Sequence, residues 1–217
     1  MRISVKALLA LVACAVIASS AFTATVTVDP AQITFGYMNV YDLGNNYQWG
    51  SGWGLADLCA TFSGSNLTLS PNTIGDPDPY WYLPSGGPGS VGQHIMYADS
   101  YAQVDDGSLA GQTLTFTGTV LSHTLAASHV AKVFVRDFAP DYSSFNQMIV
   151  NLPTSGDFSV SLPLVNDPAR HVQWGFEVIG VNVWVTDVAP YGSVTIAPYI
   201  PVSEEGSNFG SVKALFR

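Results

Sequence analysis

Apolar and polar residues alternate along several short runs of this chain. In residues 112–120 (QTLTFTGTV), threonines alternate with apolar or small residues. The same spacing returns over residues 158–164, 172–178 and 181–185. A period of two places successive side chains on opposite faces of an extended strand. Each run therefore predicts a β-strand with one buried face.

Turn-forming residues separate these runs. They include residues 106–107 (DG), 166–168 (NDP) and 190–192 (PYG), and no stretch between them shows a clear helical period. Several short strands at regular spacing, with one face apolar and the other polar, are typical of an antiparallel sandwich. We therefore predict a single all-β domain over residues 22–200.

The N-terminal segment predicts export. Residues 1–21 combine Arg2 and Lys6 with an apolar run and small residues, which is the layout of a secretory signal peptide cleaved after Ala21. The alternative is a lipid anchor on Cys14, but the chain stays apolar beyond that residue, which favours cleavage. Either way we expect an extracellular or cell-surface protein.

The charge distribution excludes some partners. Seven basic residues stand against 16 acidic ones, for a net charge of −9, and no lysine or arginine occurs between Lys6 and Lys132. A phosphate-tracking surface needs such cations, so no nucleic-acid partner is expected. Beyond the signal peptide no apolar stretch approaches the length of a membrane span.

Little in the sequence predicts catalysis. The four histidines are scattered, and Cys59, alone once Cys14 is removed, lies in a run that predicts burial. Glu177 is the single glutamate of the predicted domain, and the sequence identifies no aspartate to pair with it. We expect a protein that is not an enzyme, with a glycoside-active enzyme as the remote alternative.

The order of strand types carries a resemblance. It follows residues 93–97 (QHIMY), 101–104 (YAQV), 111–118 (GQTLTFTG), 132–137 (KVFVRD), 157–160 (DFSV) and 183–188 (VWVTDV). Over residues 35–197 this order resembles jelly-roll carbohydrate-binding modules of the galactose-binding-like class. It is also similar to uncharacterised exported bacterial β-sandwich proteins. The resemblance implies a jelly roll, a glycan or polysaccharide partner and a structural Ca²⁺.

For the calcium site, the resemblance transfers one residue. The family pattern ends on Asp-Asp-Val, whereas this chain has threonine before Asp187, so only Asp187 is carried over. Asp29, Asp42 or Asp57 could complete an oxygen cage. No EF-hand spacing is present.

The segment of residues 76–94 (DPDPYWYLPSGGPGSVGQH) is the leading aromatic candidate. Tyr80, Trp81 and Tyr82 lie among aspartates, prolines and glycines. Aromatic walls with a few polar groups are typical of ligand sites. The alternative is that these rings plug one end of the core.

Two further aromatic residues are candidates. If Val183 and Val185 point inward on a strand, Asn182 and Trp184 point outward as part of a glycan groove. In the glycine-rich residues 44–54, Trp49 is the better surface candidate, since Trp53 precedes a predicted strand. Packing against a covering loop is the alternative for Trp184.

The last residues, 201–217, form a polar spacer with an apolar end. They predict either a frayed terminus or a tag that export machinery or a surface partner reads. Two functions stay open at this point. One is a secreted, non-catalytic carbohydrate-binding protein that uses exposed aromatics. The other is a structural or adhesive protein of the cell surface or matrix, with the sandwich as scaffold.

Overall fold

The computed structural model describes residues 22–201, so the predicted signal peptide and residues 202–217 of the tail lie outside the described residues. The strands are β1 (Thr23–Thr27), β2 (Phe35–Asp42), β3 (Tyr47–Gly52), β4 (Ala60–Ser63), β5 (Asn66–Leu69), β6 (Tyr82–Leu83), β7 (Val91–Gly92), β8 (His94–Val104), β9 (Thr113–His123), β10 (Val130–Phe138), β11 (Phe145–Asn151), β12 (Gly156–Pro163), β13 (His171–Val181) and β14 (Val194–Ala197). One short 3₁₀ turn covers Ala189–Tyr191. Within the described part of the chain, no helix has the length and apolar character needed to cross a membrane.

The strands form two six-stranded sheets and one small ribbon. In sheet A, β12 and β1 flank the first half of β9, and the second half continues through β14 and β5 to β4. Sheet B has the order β11-β10-β13-β8-β2-β3, and β6 pairs with β7. The strand pairs are antiparallel except β1 with β9. The predicted all-β fold, an antiparallel β-sandwich, is confirmed.

The main core lies between the two sheets. The apolar side chains of the alternating runs point into it, as predicted. Leu114 and Phe116 of β9 are fully buried, as is Phe176 of β13. The rings of Phe116 and Phe176 pack 5.3 Å apart, and Phe158 of β12 meets both at 5.6 and 5.9 Å. Burying such rings removes large apolar areas from water, so this contact contributes to the stability of the main core.

A second apolar cluster extends the inner face of sheet B under the loops. Its buried members are Met38, Val40, Leu58, Ile74, Tyr82, Met96 and Ala98, and four tryptophans, Trp49, Trp53, Trp81 and Trp184, pack against it. The loop that contains residues 76–94 therefore covers an apolar patch, and several of its aromatic side chains serve that purpose.

The predicted strand over residues 181–185 is wrong in its extent. Strand β13 ends at Val181, and beyond it Val183 keeps only an isolated bridge to Thr73 while Val185 is exposed. The buried Asn182 ends the regular pairing, because its side chain accepts a hydrogen bond from the His94 amide at 3.0 Å. The expectation that Asn182 points outward into a groove is therefore also wrong.

Candidate functional site

Tyr82 is an internal anchor of the second cluster. Its ring is fully buried, and its hydroxyl accepts a hydrogen bond from the Ile74 amide and lies 2.8 and 2.9 Å from the carbonyl oxygens of Ile74 and Val183. These contacts satisfy the hydrogen-bonding capacity of the Tyr82 hydroxyl. For Tyr82, the plug interpretation of the aromatic run describes the structure.

The neighbouring aromatics form a partly exposed group that we call the tryptophan cluster: Trp49, Trp53, Tyr80, Trp81 and His94. Tyr80 stacks on His94 at 4.1 Å, and Trp81 lies 6.0 Å from Trp49 in an edge-on arrangement. The Trp49 indole N–H donates to the Tyr80 hydroxyl at 2.8 Å. The structure thus brings together three predicted residues, Trp49, Tyr80 and Trp81, although their rings mainly contact one another.

Trp184 stands apart from that cluster. Its ring meets Tyr82 edge-on at 5.3 Å, and a Cβ added at Gly86 would lie 2.5 Å from it. The loop therefore packs closely on this tryptophan, which is half-buried. The buried Asn182 side chain connects the segment of Trp184 to the tryptophan cluster, because it donates to the Trp81 backbone carbonyl at 3.0 Å.

Asp187 fastens the same loop. Its carboxylate accepts the Gly89 amide at 2.6 Å and the Thr186 hydroxyl at 2.9 Å. Across residues 22–201, no three side chains of the metal-binding types His, Cys, Asp and Glu gather as a metal site would require. This donor set does not fit the calcium site that the resemblance implies, and calcium binding stays an untested prediction.

A second aromatic surface lies on the outer face of sheet B. We call it the tyrosine face, and it comprises Phe35, Tyr37 and Tyr41 of β2 with Tyr97 and Tyr101 of β8. Phe35 pairs with Tyr101 across the strands and stacks on it at 5.7 Å, while Tyr41 and Tyr97 lie 4.6 Å apart. Phe35 and Tyr37 remain 48% and 36% exposed, so flat ring surface faces solvent.

Glycines make room for these rings. Gly50 of β3 faces Asn39 in the register, and a Cβ there would lie 2.9 Å from the Tyr37 ring. Gly175 of β13 faces Tyr101, and a Cβ there would approach the Tyr101 Cβ to 2.8 Å. A side chain at Gly50 would displace Asn39 or Tyr37, and one at Gly175 would press on the β8 backbone at Ser100 and Tyr101.

Beside the rings lies a buried group of charges. Arg136 of β10 donates to Asp99 Oδ2 at 2.6 Å and to Glu177 Oε2 at 3.0 Å, and its guanidinium covers the Phe134 ring at 3.7 Å. The three charged residues are 4–8% exposed. Lys132 approaches Glu177 at 3.9 Å from the solvent side. The aspartate that the sequence could not assign to Glu177 is Asp99, directly opposite it on β8.

Burial has a strong effect on Asp99. It raises the pKa of this carboxyl to about 7, with Glu177 adding to the rise and the Arg136 guanidinium opposing it. Asp99 Oδ1 is buried and has no hydrogen-bond partner within the described protein. A buried oxygen without a hydrogen-bond partner lowers the stability of the fold. Stability therefore does not explain why an aspartate occupies this position.

The polar row continues beyond the charges. The Gln173 side-chain amide donates to Gln103 Oε1 at 2.7 Å. Gln103 Nε2 in turn donates to the Asp105 carboxylate at 2.9 Å. Together these groups offer carboxyl, amide and guanidinium chemistry along one edge of the tyrosine face.

Sequence reasoning missed the tyrosine face, although a signal for it was present. In residues 95–104, Tyr97, Asp99, Tyr101 and Gln103 alternate with apolar or small residues, the same period that identified other strands. What the alternation does not give is the partner strand, and therefore the stacking and the Glu177 pairing.

Comparisons with known proteins add little. No protein-family model and no curated protein matches the chain. Among solved structures, one match is a structure described as the structural basis for the promiscuous specificity of carbohydrate-binding modules from the β-sandwich superfamily. The similarity covers 76% of this chain and 71% of that chain, with 14% identity and a TM-score of 0.33. A similarity of this size establishes neither a shared family nor a shared ligand, so the ligand has to be inferred from the chain's own geometry.

Proposed function

We propose that this protein is exported and binds a neutral glycan on its tyrosine face without cleaving it. One observation carries the proposal: exposed aromatic rings on an open sheet face lie beside a buried polar group in which Asp99 Oδ1 has no partner. Aromatic walls with a few placed polar groups are typical of ligand sites.

The chemistry of sugars suits such a surface. A pyranose presents a flat C–H face that packs on an aromatic ring, and its edge carries hydroxyls that both donate and accept hydrogen bonds. Phe35 and Tyr37 offer exposed rings for the flat face. Asp99 Oδ1 lacks a hydrogen-bond partner, and the Gln103 side chain would exchange its present bonds with Gln173 and Asp105 for bonds to the sugar.

The charge of the protein favours a neutral glycan over an acidic one. The chain carries −9 overall, and the guanidinium of Arg136 is already shared between two carboxylates. An anionic polysaccharide would therefore meet a repulsive field.

Binding rather than hydrolysis is favoured by the way the two carboxylates are held. A glycosidase places its two carboxyl groups on either side of the scissile bond, with space between them for the sugar. Here Asp99 and Glu177 are bound by one guanidinium and face the same side of sheet B. We assign them to holding the rings and the amides in position.

Titration calorimetry of the purified chain with soluble neutral polysaccharides (β-glucan, xylan, mannan and galactan) tests the proposal. We expect saturable binding to at least one. Tyr37→Ala should weaken it about ten-fold, the effect of losing ~1.4 kcal/mol of ring contact. Tyr199→Ala removes a similarly exposed tyrosine elsewhere and is the matched control.

Two results would contradict the proposal. One is the absence of binding to every polysaccharide in the set. The other is binding that survives Tyr37→Ala but is lost in Tyr80→Ala, which would place the ligand on the tryptophan cluster. Release of reducing sugar during the titration would instead establish the glycoside-active alternative.

A further inference from the structure

Strand β11 (Phe145–Asn151) is an unusual free edge of sheet B. It pairs with β10 on one side and with no described strand on the other. Phe145, Met148 and Val150 are 48%, 44% and 41% exposed, so apolar side chains face solvent on both faces of the strand. Its sequence, FNQMIVN, contains no charge and no proline.

The other sheet edges are protected in ways that β11 is not. Strand β12 carries Asp157 and ends at Pro163, while β1 and β4 have only five and four residues. Strand β3 contains two glycines, and its Trp49 packs in the tryptophan cluster. Charges, proline and short length are the usual devices that prevent a sheet edge from pairing with another chain.

We propose that β11 pairs with the β11 of a second copy of this chain, antiparallel about a two-fold axis. An isologous contact needs a surface that is complementary to itself, and an uncharged strand with open backbone groups meets that condition. The pairing would join two copies of sheet B into one continuous sheet.

The distribution of charge supports a second copy as the occupant. The cations of residues 22–201 are Lys132, Arg136 and Arg170; two lie on β10, and the third bonds to Asp137 of β10. The repulsion between two acidic chains is therefore weakest where β10 carries β11.

The arrangement has a consequence for the proposed function without depending on it. A two-fold axis perpendicular to the joined sheet leaves both tyrosine faces on the same side. A long glycan could then contact two faces at once, which strengthens binding through effective concentration. Loss of the dimer would leave binding of a short oligosaccharide unchanged, so failures of the two proposals are distinguishable.

Equilibrium sedimentation of the full chain, as recovered after export, tests the pairing. We expect the unaltered protein to have twice the mass of one chain. The Met148→Lys variant should have the mass of a single chain, a two-fold reduction. Ser159→Lys, at an exposed position of the β12 edge, is the matched control and should stay dimeric. Met148 is exposed, so the lysine should leave the fold of the single chain intact, which an unchanged far-UV circular dichroism spectrum would show.

A single-chain mass for the unaltered protein would overturn the proposal, as would a dimer that persists in Met148→Lys. A variant ending at Pro201 tests the other possible occupant of the β11 edge, which is the C-terminal tail of the same chain. If only that shortened chain is dimeric, the tail rather than a second copy occupies the β11 edge, and the proposal is wrong.

Discussion

Replacing Asp99 with asparagine tests whether the charge group beside the tyrosine face behaves as its geometry implies. Asparagine has the shape of a protonated aspartate, and its carbonyl oxygen can accept from Arg136 as Asp99 Oδ2 does. Arg136 keeps Glu177 as a partner at 3.0 Å, so no buried charge is left unpaired.

The expected magnitude follows from the pKa of Asp99. Burial raises it from 3.8 to about 7. The native state therefore holds this proton in a pH range where the unfolded chain has released it, and stability falls as pH rises through that range. At about 1.4 kcal/mol per pKa unit, wild type should lose ~3 kcal/mol relative to Asp99→Asn between about pH 4.5 and pH 8.

Urea unfolding followed by tryptophan fluorescence at the two pH values measures this difference, because titrating groups that do not interact with Asp99 contribute equally to wild type and variant. Asp141→Asn is the control, because hydrogen bonds from Ser143 lower the pKa of that exposed carboxyl. Asp141 is therefore ionised in both the native and the unfolded state over this pH range, and the stability difference between wild type and Asp141→Asn should be the same at both pH values. A stability difference between wild type and Asp99→Asn that is the same at both pH values would refute the reasoning. Asp99 would then be an ordinary ionised partner of Arg136.

Three further substitutions test the loop that covers the second cluster. Tyr82→Phe should lower the free energy of unfolding by about 1–3 kcal/mol, because buried backbone groups lose their hydroxyl partner; chemical denaturation measures it, and an unchanged value would contradict the anchor role. Gly92→Ala should lower the free energy of unfolding by roughly 1–3 kcal/mol, because its Cβ would lie 2.0 Å from the Asn182 backbone carbonyl oxygen. Thermal melts measure this loss. Gly87→Ala is the control and should leave the melting temperature unchanged, because a Cβ there has open space. Asn182→Ala should destabilise by about 1–3 kcal/mol while leaving calorimetric glycan affinity unchanged; a stable variant that no longer binds would restore Asn182 as a ligand contact.

The fold was predictable from sequence where burial alone decides the pattern. The alternation around Phe116 in β9 and Phe176 in β13 follows from a sheet with one face in the core, and both runs are strands in the structure. The alternation at Val183 and Val185 failed because Asn182 binds backbone groups with its side chain. Periodicity does not detect such a contact, since it registers only whether residues are apolar.

The site was predictable only in part, for a similar reason. Residues adjacent in the chain, such as Tyr80 and Trp81, could be recognised as a group, and with Trp49 they do lie together. Asp99 and Glu177 meet through the register of β8 with β13, which no local pattern encodes. Strand order and register therefore had to come from the structure.

The measurement that tests the central claim most directly is the labelling of surface tyrosines with and without a bound glycan, read by mass spectrometry after nitration. The tyrosine-face account predicts that the glycan protects Tyr37 and its neighbour Tyr101, while Tyr80 and Tyr199 react equally in both samples. Protection of Tyr80 alone, or labelling that the glycan leaves unchanged at every tyrosine, would contradict it.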